Sequence, residues 1–265
     1  MKSKAVGRPG PAGLKLWVPQ QYGAWAMMLA PVLTGSLRAG FRWQHAVLLV
    51  TWIAAYLGYM AVRGWLRSRR AAYAAPVATY LAATVIGVGT LVIWRPALVW
   101  WAIPLVAFMG LSMVLVTTGR ERSVLNDALL MASSCLMSVM AATLFRLGTG
   151  IGWGAFSAGV VQPREWLVAG VFAGYFWGTI WYVKTMIRER GKTGWYAASV
   201  AYHVVGAGLA CLVNLPVGVL GVVIALRAIL VPRLWPKAKP QWIGLGEVGL
   251  TIAMIIVLCL TIPGS

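Results

Sequence analysis

Apolar residues in this chain neither alternate as in a strand nor recur on one face as in a surface helix. They run in blocks of about 17 to 21 residues, the length a helix needs to cross the hydrocarbon core of a bilayer. Such blocks lie at about 22–41, 43–62, 75–94, 97–117, 125–145, 165–183, 195–213, 216–232 and 243–262. The pattern predicts an all-α, polytopic integral membrane helical bundle of about nine transmembrane helices. Residues 1–20 form a basic tail and residues 21–265 a single transmembrane domain. Between Trp195 and Val231 the break at Asn214-Leu215-Pro216 allows two full spans or a re-entrant hairpin, and both return the chain to the same side.

Composition agrees with lipid as the solvent. With 60% hydrophobic residues, 11% charged and a mean hydropathy of +0.79, the chain has too little polar surface to cover a soluble globule. A net charge of +18 and a pI near 10.7 would suggest DNA or RNA in a soluble protein. Here the charges are sorted, with about 18 of the 23 Lys and Arg beside one set of span ends. That set comprises Lys2, Lys4, Arg8, Lys15, the cluster Arg63 to Arg70, Arg120, Arg122, the cluster Lys184 to Lys192, Arg227, Arg233, Lys237 and Lys239. Arg38, Arg42, Arg95, Arg146 and Arg164 remain on the other side. The positive-inside rule then predicts an inner-membrane protein with a cytoplasmic N-terminus and an external C-terminus, with membrane lipids and no nucleic acid as partners; protein partners are not indicated.

Glycines and prolines interrupt the first twenty residues, so no cleavable signal is expected and the first span acts as the insertion signal. Cys135, Cys211 and Cys259 are isolated in apolar segments and read as packing. Tryptophans beside span ends, such as Trp17, Trp43, Trp94 and Trp242, read as interfacial anchors. Gly150 to Gly154 reads as a flexible external loop.

Three constellations on the basic side rise above packing. The first is Gln20-Gln21-Tyr22-Gly23-Ala24-Trp25 leading to Pro31, a kinked helix suited to lining a cavity, with Gln21 and Trp25 as ligand-binding candidates. The second is Arg63, Arg67 and Arg70, which share a helical face by i, i+4, i+7 spacing and suit a phosphate. The third runs from Tyr182 to Lys192, where Lys184, Arg188 and Gly191 share a face and Arg190 follows Glu189. Only five acids occur in the chain. Asp127 starts the fifth span, Glu165 is interfacial, and Glu247 lies a turn inside the last span, where it could pair with a buried base. Asp127, Glu189 and His203 are the candidates for any catalytic role, and whether the protein is an enzyme stays open. No metal site is expected, because no His or Cys pair has ligand spacing.

Pro19-Gln20-Gln21-Tyr22-Gly23-Ala24-Trp25-Ala26-Met27, with Pro31 and Gly35, resembles the N-terminal signature of the YwiC-like family of bacterial polytopic membrane proteins. Arg188-Glu189-Arg190-Gly191 and Tyr202-His203 are similar to that family's loop and seventh span. One departure is Tyr22, where the family pattern carries a histidine after the glutamine. The resemblance implies membership of a group with no established activity. More distantly, Ala30-Pro31-Val32-Leu33-Thr34-Gly35 resembles the first span of UbiA-type prenyltransferases, nine-helix bundles with a cytoplasm-facing pocket. That likeness implies a Mg²⁺-bound prenyl pyrophosphate held by aspartate-rich loops after spans two and six. The corresponding loops here, 63–70 and 184–192, contain no aspartate. Without those hard oxygen ligands no cofactor is expected, and Mg²⁺ enters only if the prenyltransferase reading holds.

The expected function is binding of a lipid or isoprenoid phosphate in a cytoplasm-facing cavity, with Arg63, Arg67, Arg70, Lys184, Arg188 and Arg190 on the anionic head. The alternatives are a UbiA-type prenyltransferase with degenerate metal motifs, an accessory subunit of a membrane complex, or a transporter.

Overall fold

The computed structural model describes residues 14–18, 22–160 and 162–264. Among them there is no strand. A short helix α1 (Leu14–Trp17) precedes α2 (Tyr22–Arg38), α3 (Trp43–Ser68), α4 (Ala74–Trp94), α5 (Ala102–Thr117) and α6 (Val124–Thr143). Then follow α7 (Trp153–Val160), α8 (Pro163–Ile187), α9 (Thr193–Val213), α10 (Leu215–Leu234) and α11 (Pro240–Thr261). Single 3₁₀ turns at Ala71–Tyr73 and Pro96–Trp101 lead into α4 and α5. Counting those turns with their helices, eight helices among the described residues are long and apolar enough to cross a membrane; α2, with 17 residues, falls short of that length.

Helix limits follow local chemistry. Ser123 caps α6 by accepting from the Asn126 N–H at 3.2 Å, and Asn214 caps α10 by accepting from the Val217 N–H at 2.9 Å. Asn214 thus ends one helix and starts the next, so residues 195–231 form most of two complete helices. Pro31 lies inside α2 and has no N–H to offer the carbonyl four residues earlier. That carbonyl, on Met27, accepts instead from Ser134 Oγ of α6 at 2.5 Å. Next to it, Met28 O accepts from Trp52 Nε1 of α3 at 3.0 Å. A backbone break that would be costly in lipid is satisfied by neighbouring helices.

Hydrogen bonds between turns sort the helix ends into two sets. The C-terminal ends of α3 and α8 meet the start of α6 through Arg63–Glu121 and Lys184–Asp127, and Arg190 reaches Ala238 O at 3.1 Å. At the opposite end, Arg38 donates to Ile262 O at 2.8 Å and Asn214 reaches Thr261 at 3.1 Å. The helices therefore run antiparallel between a basic end and an opposite end, and residue 17, whose carbonyl accepts from Tyr80, is remote from residue 263.

The bundle closes on α2, which packs against α6 and α11, while α3 packs on α4, α8 on α6 and α9, and α9 on α10. Close approach of α2 and α6 depends on Gly35, where an added Cβ would sit 2.2 Å from Ser138 O. The core is aliphatic and aromatic, with Phe172, Phe176, Leu48, Met137 and Leu144 almost fully buried. Outside, α4 keeps Val85, Ile86 and Ile93 exposed, and only Pro76 and Leu91 of that helix are buried. Continuous apolar outer faces of this kind belong in hydrocarbon.

Two regions differ from the sequence expectation. Residues 153–160, next to the glycine-rich stretch, form α7, whose Phe156 packs on Trp100, Trp101 and Trp153. The aromatic cluster supplies the order that glycine content alone would not suggest. Glu165, expected at an interface, is buried at 1% exposure in an ion-paired triad with Arg38 and Arg146. Two of the five arginines assigned to the sparse side are thus internal cross-links between helix ends.

Candidate functional site

The basic end holds a cavity of about 410 Å³ between α2, α3, α5, α6 and α8. Met27 and Met28 from the proline-broken part of α2, with Trp52, Tyr56 and Met60 of α3 and Met109 of α5, form apolar walls. Arg63, Arg67, Glu121, Arg122, Asp127 and Arg188 stand among the lining residues.

Each charge is placed by identifiable local structure. Because α3 continues to Ser68, Arg63 and Arg67 fall one turn apart on one face. They share Glu121: Arg63 Nε donates to Oε2 at 3.3 Å and Arg67 Nη1 to Oε1 at 2.6 Å. Glu121 lies in the turn before α6, anchored from below by a buried polar chain. Tyr59 Oη bonds Ser112 Oγ at 2.7 Å, Ser112 Oγ bonds Asn126 Oδ1 at 2.5 Å, and Asn126 Nδ2 donates to Glu121 O at 2.9 Å. Asp127, in the first turn of α6, accepts from Lys184 Nζ at 3.0 Å. Four arginines and Lys184 therefore face two carboxylates, an excess of three positive charges around a chamber whose other walls are apolar side chains with Asn126, Ser133 and Ser134 among them.

The expected residues divide accordingly. Arg63, Arg67, Lys184, Arg188 and Asp127 come together here. Arg70 does not share the face of Arg63 and Arg67, because α3 ends at Ser68 and Arg69 turns into the left-handed region at φ 54°, which sends Arg70 onward in extended backbone. Arg190 is directed elsewhere, donating to Met186 O at 2.8 Å and Ala238 O at 3.1 Å, since α8 stops at Ile187 and the helical face does not persist. Gly191, at φ 83°, belongs to that turn and to no helix face. Glu189 pairs with Lys192 at 2.6 Å and is absent from the cavity lining. Trp25 packs on Tyr56, a lining residue, with ring centroids 5.7 Å apart. Gln21 lies outside the described residues. Sequence reasoning passed over Glu121, Arg122 and Asn126; the scarcity of acids was the one signal that pointed to Glu121.

Two further intramembrane groups have defined partners. Glu247 is ion-paired with Arg227 and accepts from Thr179 Oγ1 at 3.0 Å, while the Arg227 guanidinium lies 3.9 Å over the Tyr182 ring. His203, which does not line this cavity, bonds Ser199 O of its own helix. Among the described residues no three of His, Cys, Asp or Glu gather as a metal site would require.

Long apolar helices, outward aliphatic faces and two charge-sorted ends define a multi-pass helical membrane protein. Residues 18–142 match the family model described as YwiC-like protein. The Uncharacterized protein YwiC of Bacillus subtilis (strain 168) is 28% identical over 219 residues, covering 77% of this chain and 84% of that one. An uncharacterized protein of Haemophilus influenzae is 28% identical over 247 residues, 92% and 98% of the two chains. The resemblance carried by the opening residues is thus matched over residues 18–142, and the chain is similar to YwiC-like proteins. No solved structure matches.

Proposed function

We propose that this YwiC-like membrane protein binds a lipid or isoprenoid phosphate in the cavity at its basic end, and that this end faces the cytoplasm across the bacterial inner membrane. The observation that supports the reading is convergence: the C-terminal ends of α3 and α8, distant in the chain, bring Arg63, Arg67 and Arg188 to one methionine-walled chamber, with Lys184 beside it on Asp127. Guanidinium groups bind phosphate bidentately without a metal bridge, and the apolar wall suits an isoprenoid or acyl tail. Glu121 and Asp127 hold the cations while no ligand is present, and an incoming phosphate takes their place. Binding of a polyprenyl phosphate to the purified protein tests this. Arg63→Gln, Arg67→Gln and Arg188→Gln together should abolish binding, while Arg70→Gln and Arg190→Gln leave it unchanged. Glu121→Gln removes the internal competitor and should tighten binding by up to about fivefold, because a partly exposed pair is worth no more than about 1 kcal/mol. Affinity unaltered by the triple substitution would end the reading.

A second reading, a UbiA-type prenyltransferase with degenerate metal motifs, has one observation in its favour: Glu121 and Asp127 line the same chamber. Both are engaged by cations, and Glu189, the other acid that reading requires, pairs with Lys192 outside the lining. Mg²⁺ prefers several oxygen ligands, so a transferase would lose activity in EDTA, whereas an arginine clamp would keep its ligand.

A further inference from the structure

A second cavity, of about 480 Å³, opens among α8, α9, α10 and α11, and the phosphate-binding reading makes no use of it. Its walls are apolar, with Leu167, Val171, Val205, Leu209 and Ile224 among them, and its width comes from glycines. A Cβ added at Gly170 or Gly206 would meet no atom within 4 Å.

Most polar groups in the wall have already donated their protons. Trp166 Nε1 donates to Val160 O at 3.2 Å, the Tyr202 hydroxyl donates to Gly174 O at 2.9 Å, and the Tyr175 hydroxyl bonds Glu247 O and Thr251 Oγ1. His203 differs. It is mid-way along α9, about 15 Å from either end at the helical rise, and 4% exposed. Its Nδ1 lies 2.6 Å from Ser199 O. A carbonyl can only accept, so Nδ1 carries the proton and Nε2 of the neutral ring is an acceptor. That acceptor has no partner. The ring edge fits against α8 because residue 178 is glycine; a Cβ there would come within 2.9 Å of Nε2.

A buried acceptor at bilayer mid-depth carries an uncompensated desolvation cost, and intramembrane ionisable residues mark sites. No acid or base other than this imidazole lines the chamber, so neither a cation nor an anion finds a counter-charge in it. What complements an apolar chamber whose wall includes one buried, unpartnered acceptor is an apolar molecule with one proton donor. We propose that this cavity binds a lipid-soluble molecule bearing a hydroxyl group, which donates to His203 Nε2. The volume falls in the range of small-molecule sites, and either an isoprenoid alcohol or a hydroquinone carries the required chemistry.

The chain has two histidines, and His45 has both ring nitrogens engaged: Arg42 N–H donates to Nδ1 at 3.0 Å, and Nε2 donates to Ala141 O at 3.1 Å. Nitrogen-15-labelled histidine in the full chain, reconstituted in nanodiscs, therefore yields one ring nitrogen free to respond. Farnesol and decylhydroquinone are titrated separately, each beside its methyl ether, which keeps the shape and loses the donor. The expected result is an upfield shift of His203 Nε2 with at least one of the two alcohols, no such shift with its ether, and an unmoved His45; the responding alcohol identifies the source. Gly206→Leu, which fills the cavity from a position with room for a side chain, should abolish the response while leaving polyprenyl phosphate binding at the basic end intact. The proposal is overturned if Nε2 is protonated in the ligand-free protein, if neither alcohol shifts it, if the ethers act equally, or if Gly206→Leu responds like the parent.

Discussion

Glu165→Gln removes a single charge and almost no volume from the opposite end of the bundle, and the structure fixes what that should cost. Glu165 is 1% exposed and shares its single charge between Arg38, whose side chain is wholly buried, and Arg146, which is about a quarter exposed. Removing one partner of a buried pair costs about 3–5 kcal/mol, most of it for the charge left behind. Arg146 can turn toward the headgroups, so the penalty falls on Arg38 alone. Arg38 keeps two backbone acceptors, Ile262 O at 2.8 Å and Pro263 O at 3.1 Å, which partly solvate the guanidinium. The expected loss is therefore at the lower limit, about 3 kcal/mol. Reversible unfolding in mixed micelles, titrated with SDS and followed by tryptophan fluorescence, measures it. The apolar pair Arg38→Met with Glu165→Leu should be less destabilised than Glu165→Gln, because no charge is stranded. A Glu165→Gln protein within about 0.5 kcal/mol of the parent would refute the reasoning, since that is the range of a surface substitution.

The other predictions concern backbone chemistry, packing and topology. Ser134→Ala leaves Met27 O without the donor that replaces the missing proline N–H and should cost about 1–3 kcal/mol, while the further change Pro31→Ala should restore part of it in the same unfolding assay. Gly35→Ala puts a Cβ against Ser138 O, a backbone atom that cannot swing aside, and should destabilise by at least about 2 kcal/mol. Gly170→Ala, facing open space, should cost far less and serves as the control. Cysteine tags near residues 16 and 263 should react with impermeant reagents from opposite compartments; labelling of both from one side would contradict the antiparallel run of the helices.

Much of the fold was legible because lipid imposes a crude requirement, a long apolar block for each crossing, and block length is a property of the sequence alone. Helix ends were less legible. Arg70 seemed to continue the face of Arg63 and Arg67 because spacing is read as if the helix went on, yet Arg69 turns left-handed and ends it. The two clusters beside the basic cavity, Arg63 to Arg70 and Lys184 to Lys192, were legible from their charge, which puts both at one set of span ends. Which members meet was not. Arg67 faces Glu121 across a separation of 54 positions, and Lys184 faces Asp127 across one of 57, separations that no local period encodes. The Arg38–Glu165 pair, 127 positions apart, was hidden by charge counting itself, which treats every arginine at a span end as a surface anchor.

The grip of Arg38 on Ile262 O has a consequence for biogenesis. The two residues are 224 positions apart, so at ribosomal rates of about 5–20 residues per second the guanidinium emerges about 10–45 s before its acceptor. Until Glu165 follows, 127 positions later, the helix carrying Arg38 is already in the translocon or the bilayer with an unpaired cation at its tip. A location in the last turn lets the side chain reach water or a lipid phosphate while it waits, which the same arginine at mid-depth could not do.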